Sequence, residues 1–139
     1  MKVSVIIPVR NEELLLKKII EQLEVRLKDL SCEIVFINDY STDNTFLTLE
    51  NLIKNKNQFK LCNNKRKGLG GAITEGINNS NGELICIMMS DLSDDIEDFK
   101  KYYKTIKDEQ IDAVFGSRFI GGSKVIDYPK KKISIKQNF

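Results

Sequence analysis

Apolar residues recur along this chain in two alternating patterns. Short, nearly continuous runs rich in Val and Ile are followed by stretches whose apolar positions repeat every three or four residues. Lys2 to Val9 (KVSVIIPV) reads as a strand buried on both faces. Asn11 stands where it would cap a helix, with Glu12 and Glu13 in a first turn that favours carboxylates. Leu16, Ile19, Ile20, Leu23 and Leu27 then mark one helical face. Glu33 to Ile37 (EIVFI) predicts a second strand, and Phe46, Leu49 and Ile53 predict the helix after it. Phe59 to Cys62 predicts a third strand. The glycine-bearing Lys67-Gly-Leu-Gly-Gly-Ala leads into a helix carrying Ala72, Ile73 and Ile77, which Asn79-Ser-Asn-Gly82 stops. Leu84 to Met88 predicts a fourth strand, Asp94 with Glu97 offers a capping box for the next helix, and Ala113 to Phe115 predicts a fifth strand.

Strands alternating with helices at this rhythm form βαβ units, so the expected fold is α/β, a mostly parallel sheet with helices on both faces. The length of 139 residues suits one domain, and 41% hydrophobic residues suffice for a core. The net charge of +2 does not announce a nucleic-acid binder. The absence of histidine excludes a Ser-His-Asp or Cys-His pair and any His-ligated metal. Cys32, Cys62 and Cys86 match neither a disulfide framework nor a zinc pattern, and read as reduced residues in or near the core. No apolar run approaches the roughly 20 residues of a spanning helix, and the segment around Pro8, Arg10, Glu12 and Glu13 does not fit a signal peptide. A cytoplasmic protein is the expectation. From Lys124 to Phe139 five lysines face one Asp127 without clear periodicity, which equally fits a solvated tail and a basic contact surface.

In an open parallel sheet, ligands bind beyond the carboxyl ends of the strands. That rule singles out Pro8, Arg10, Asn11 and Glu12 after the first strand, and Asn38, Asp39 and Asp43 after the second. It also singles out Ser90, Asp91, Ser93, Asp94 and Asp95 after the fourth, and Ser117 and Arg118 after the fifth. Carboxylates on such a rim can hold a hard divalent cation that neutralises a diphosphate, and an arginine adds a fork of donors. Each piece also has a plainer reading. Asp39 and Asp43 suit Asx-turns, Asp94, Asp95 and Glu97 suit a helix start, and Gly68, Gly70 and Gly71 suit a tight turn. The chain lacks GxGxxG after its first strand and lacks GxxxxGK[ST], which disfavours a nicotinamide-dinucleotide site and a P-loop.

Five blocks in order, SVIIPVRNEE, EIVFINDYSTDNT, GLGGAITEGINNSNGELICIM, SDLSDDIED and FGSRFIGGSKVIDYPKKKIS, resemble family 2 glycosyltransferases of the Rossmann-like GT-A fold. Within them the chain is most similar to the dolichol-phosphate mannose synthase and polyprenyl-phosphate glycosyltransferase branch. The resemblance runs from Val3 to about Ser134. It implies a GT-A nucleotide-sugar-binding domain over residues 1–123, incomplete relative to the family. A basic tail over 124–139 would lead toward an acceptor region.

The resemblance also implies roles. Pro8, Arg10 and Glu12 fall in the donor-contacting block, Asp39 matches a nucleoside-binding acid, and Ile37 and Ser90 stand beside those positions. Asp91 matches the second acid of a DxD-type metal motif whose first acid is Met89 here, and Ser93 stands where it would complete the metal shell. A thioether is a poor ligand for a hard cation, so the implied Mg²⁺ or Mn²⁺ site is weak. Arg118 matches an arginine that neutralises donor phosphates, making Asp91 and Arg118 the implied catalytic pair. Lys131 and Lys132 fall where the family faces a lipid phosphate, with Lys130 beside them. Arg10 replaces a common tyrosine, Asn38 a common acid, and Tyr40 a common glycine. The implied reaction is inverting transfer from a nucleotide diphosphate sugar to a polyprenyl phosphate, with peripheral contact at the cytoplasmic membrane face and no nucleic acid. A phosphate acceptor is already an anion at neutral pH, so the absence of histidine is no obstacle. The alternatives are a truncated module that binds a nucleotide sugar without catalysis, and a flavodoxin-like or receiver-like regulatory domain.

Overall fold

The structure, a computed structural model, describes residues 2–91 and 94–116. Its elements run β1 (Val3–Val9), α1 (Leu16–Leu27), β2 (Cys32–Asn38), α2 (Thr45–Ile53), β3 (Phe59–Asn63), α3 (Leu69–Asn78), β4 (Leu84–Ile87) and α4 (Ile96–Glu109). The four strands form one sheet in the order β3-β2-β1-β4, and every pairing is parallel. Because β1 lies between β2 and β4 and is covered on both faces, all seven of its residues are buried. That explains its unbroken apolar run.

Side-chain alternation divides the core between the two faces. Val3, Val5, Ile7 and Val9 of β1 join Ile34 and Phe36 of β2 against the apolar stripe of α1, with Leu49 and Ile53 of α2 and Ile96 and Phe99 of α4. The rings of Phe36 and Phe59 stack with centroids 6.2 Å apart. On the other face Ile6, Val35 and Ile37 pack against Ala72 of α3. Gly76 makes this contact possible, since a Cβ there would lie 2.3 Å from Ile6 Cγ2. Helices therefore cover both faces, as the alternation predicts.

Several local expectations are corrected. Ala113 to Phe115 forms no strand: these residues join no ladder among the described residues, and Phe115 is 91% exposed. Three apolar residues without a partner strand satisfy neither backbone nor side chains. Asn11 caps no helix. It takes a left-handed conformation (φ 55°), and α1 begins at Leu16 behind Leu15, with no acid in its first turn. The cap of α4 is Asp95, whose carboxylate accepts from the Glu97 N–H at 2.9 Å; Asp94 instead accepts from the Met89 N–H at 2.8 Å. Ile77 lies 48% exposed, because Ala72, Glu75 and Gly76 form the buried side of α3. The three cysteines are half-buried free thiols. Burial pushes Cys32 and Cys62 up, and pushes Cys86 up to about 12, helped by Asp94.

Candidate functional site

The sheet order reverses direction at β1, which has β2 on one side and β4 on the other. Loops leaving the carboxyl ends of β1 and β4 diverge there, and the crevice between them is the general ligand position of such sheets. Glu12, from the loop after β1, and Ser90, just beyond β4, meet across it: the Ser90 hydroxyl donates to Glu12 Oε1 at 3.5 Å. Glu12 is half-buried, Ser90 buried and Asp91 exposed beside them.

The loop after β1 is bound to the loop after β2. The Asn11 N–H donates to Ser41 Oγ (3.1 Å), and Asn11 Oδ1 accepts from the Thr42 N–H (2.8 Å) and hydroxyl (3.3 Å). The Glu12 N–H donates to Thr45 Oγ1 at 2.8 Å. The Glu13 N–H donates to Asp43 Oδ2 (3.4 Å), and the Glu13 carboxylate accepts from the Asn44 N–H and Nδ2, both at 3.3 Å. The Thr45 hydroxyl, with the Thr45 and Glu13 amides, holds the Asp43 carboxyl below its ordinary range.

Asp39 faces the loop after β3. Its carboxylate accepts from the Gly68 N–H (2.9 and 3.1 Å) and from Asn64 Nδ2 (2.7 Å), and only 6% of the residue is exposed. Gly68 precedes α3 with φ 107°, a conformation that side chains strain to adopt. Tyr40, also left-handed at φ 55°, donates its hydroxyl to the Lys65 carbonyl at 3.3 Å. The Glu75 carboxyl is lowered by Lys65 (2.8 Å) and then by Asn79.

The sequence-derived residues thus fall into distinct groups. Glu12, Ser90 and Asp91 lie at the β1–β4 crevice, with exposed Arg10 on the loop after β1. Pro8 is buried within β1, opposite Ile37. Ile37 is wholly buried in the α3-side core and lines no open surface. Ser93, Arg118, Lys131 and Lys132 lie outside the described residues, as does the basic tail. Thr45 and Asn64 were passed over as residues that shape these loops. The same carboxyl-end rule, applied to Asn63-Asn64 after β3, points to the last of them.

For a divalent cation, the described residues contain no group of three or more metal-ligating side chains. Met89 is 38% exposed and Asp94 Oδ2 already accepts the Met89 amide. Asp91 stands exposed after β4, and a carboxylate is a ligand type suited to a hard cation such as Mg²⁺.

Residues 4–139 match the profile of Glycosyl transferase family 2. The dolichol-phosphate mannosyltransferase of Pyrococcus furiosus is 33% identical over 129 residues, covering 93% of this chain and 36% of that protein. The undecaprenyl-phosphate 4-deoxy-4-formamido-L-arabinose transferase of Proteus mirabilis is 31% identical over 111 residues, 77% of this chain and 34% of that protein. A structure of Staphylococcus aureus TarS with UDP superposes with a TM-score of 0.64 at 25% identity, covering 79% of this chain and 33% of TarS. The Pyrobaculum calidifontis mannosyltransferase PcManGT, solved with GDP-Man and Mn²⁺, shares the fold (TM-score 0.64, 22% identity, 76% and 32% covered). The chain spans about a third of the length of these relatives. With its parallel sheet, its reversal of strand order at β1 and this match along nearly its whole length, the chain belongs to Glycosyl transferase family 2.

Proposed function

We propose that this chain is the donor-binding part of a glycosyltransferase that moves a sugar from a nucleotide diphosphate sugar to a polyprenyl phosphate by one inverting displacement. The observation that carries the reading is the polar contact at the β1–β4 reversal, where Glu12 meets Ser90 beside Asp91. The polyprenyl-phosphate substrates in the names of the Pyrococcus and Proteus relatives support the acceptor, and the UDP complex of TarS supports the donor class.

In this reading Arg10 and Glu12 hold the nucleoside part. Negative charge grows on the leaving diphosphate, and stabilising it is the main catalytic task. Asp91 and Ser93 would hold Mg²⁺ or Mn²⁺, which when bound neutralises diphosphate charge. Arg118 would donate to the same phosphates. Lys131 and Lys132, in the basic segment 124–139, would face the acceptor phosphate at the membrane surface. No helix among the described residues is long and apolar enough to cross a membrane; in this reading the basic segment makes a peripheral contact at the cytoplasmic face. Met89 in place of an acid favours a second reading, a module that binds nucleotide sugar with little or no transfer.

The test is thermal unfolding with millimolar GDP or UDP and Mg²⁺. A ligand that binds only the folded chain raises its melting temperature. No shift with either nucleotide overturns both readings. A shift without transfer to polyprenyl phosphate leaves the binding module.

A further inference from the structure

The loops after β1 and β2 share more hydrogen bonds than their surface position requires. Asn11, Thr42, Asp43 and Asn44 are exposed, and hydrogen bonds between exposed groups add little stability because water competes for them. Thr45 differs: it is wholly buried. Its hydroxyl accepts from the Glu12 N–H at 2.8 Å, and the same hydroxyl helps hold the Asp43 carboxyl below its ordinary range. Asp43 in turn accepts from the Thr45 N–H (3.0 Å) and the Glu13 N–H (3.4 Å). A side chain at position 45 must therefore accept from the Glu12 N–H. Serine can do so, whereas valine, of nearly the same shape, cannot. The chain of contacts continues to the crevice, because the backbone it fixes carries the Glu12 carboxylate to within 3.5 Å of Ser90 Oγ.

We propose that Thr45, oriented by Asp43, is a positioning residue that sets the Glu12 carboxylate for binding of a nucleoside diphosphate. The proposal rests on the donor-site reading above. Loss of one such contact should weaken binding about fivefold, which corresponds to about 1 kcal/mol. The low-lying Asp43 carboxyl keeps the acceptor ionised at neutral pH.

The experiment titrates the full chain and its variants with UDP and GDP in Mg²⁺ by calorimetry, well below each melting temperature. Thr45→Val should bind about fivefold more weakly, Thr45→Ser should retain most of the affinity, and Asp43→Asn should fall between them. The double variant Thr45→Val/Glu12→Gln should bind no more weakly than Glu12→Gln alone, since both changes act through one carboxylate. A merely structural threonine would lower the melting temperature in Thr45→Val yet leave affinity unchanged, and that result overturns the proposal. So does a Thr45→Ser variant as weak as Thr45→Val, or additive losses in the double variant. If Thr45→Val does not fold, exposed Asp43 carries the test, and unchanged affinity in Asp43→Asn overturns it. A wild-type chain that binds neither nucleotide removes the donor-site reading and this proposal together. Wild-type binding matched by Thr45→Val removes this proposal alone.

Discussion

At the amino ends of the strands, the Glu33 carboxylate is buried, 4% exposed, and surrounded by donors. Ser4 Oγ donates at 2.6 Å, Lys60 Nζ lies at 2.8 Å and Lys2 Nζ at 3.6 Å, and the Asn81 amide also donates to it. Burial alone would raise this carboxyl, but Lys60, Ser4 and Asn81 outweigh it and hold it at about 2. At the carboxyl ends, Asp39 and Asp43 are satisfied by backbone amides, an asparagine and a threonine rather than by cations. Arg10, Arg66 and Lys67 stand exposed on the surrounding loops and make no ion pair among the described residues. One end neutralises its charge internally and joins β1, β2 and β3 to the turn before β4. The other shapes the loop after β2 with neutral donors and carries exposed positive charge around it. The buried ion-paired cluster therefore lies at the amino end of the sheet, while at the carboxyl end Lys65 pairs with Glu75 and the rim acids of the β2 loop take neutral donors.

That division is broken most directly by Glu33→Ala. Removing the buried acid leaves Lys60, the Ser4 hydroxyl and the Asn81 amide without their acceptor, which should cost about 3 kcal/mol in urea unfolding. Nucleotide affinity of the folded fraction should not change. A loss of affinity without loss of stability would reverse the assignment of the two ends.

Acid gives the next largest effect. The Glu33 carboxyl is lowered from 4.5 to about 2, so the folded chain binds this proton less readily than the unfolded chain. Its contribution is complete above pH 4.5 and disappears as pH falls through the interval toward 2. Lys2 and Lys60 are 43% and 36% exposed, so solvent screens the pair and the loss should be about 2 kcal/mol rather than the full value of the shift. Glu33→Gln should lack this part of the acid dependence. Superimposable pH curves for wild type and Glu33→Gln would show that the stabilising charge lies elsewhere.

The sheet and most helices were legible because burial leaves a periodic trace: β1 is apolar throughout, and α1 repeats Leu16, Ile19, Ile20, Leu23 and Leu27. Ala113 to Phe115 carried the right composition for a strand, but a strand exists only through its partner, which composition does not encode. At the rim, the rule about carboxyl ends selected Glu12, Asp39 and Ser90. It did not distinguish Glu12, facing the crevice, from Asp39, turned toward Gly68, because that depends on which loop folds over which. Asn11 likewise has a capping residue's chemistry, yet its side chain finds Thr42 across the rim before any helix begins.

A hard ligand at position 89 sharpens the contrast at the carboxyl end. Met89 follows β4 and is 38% exposed, two residues before Asp91. Met89→Asp adds a charged oxygen ligand, and Mn²⁺ affinity in the presence of nucleotide should rise about tenfold by calorimetric titration. Equal or weaker binding would place position 89 away from the metal and refute the alignment of the DxD-type motif.

Tyr40 tests the comparison at its smallest scale. It holds φ at 55° where the resembled family has glycine, and a tyrosine in that region is strained by about 1 kcal/mol. Tyr40→Gly relieves that strain but gives the unfolded chain more freedom, an opposing effect of about 0.5–1 kcal/mol. It also removes the hydroxyl contact to the Lys65 carbonyl, which at 3.3 Å and 47% exposure is a weak one. These effects nearly cancel, so the melting temperature should move by no more than a few degrees, the shift that about 0.5 kcal/mol produces in a chain of this size. If rim loops serve ligand binding rather than stability, this small change is what their most strained residue should show. A drop comparable to that of Glu33→Ala would mean that the ring holds the loop between β3 and α3 in place, and that the carboxyl end also bears the stability of the fold.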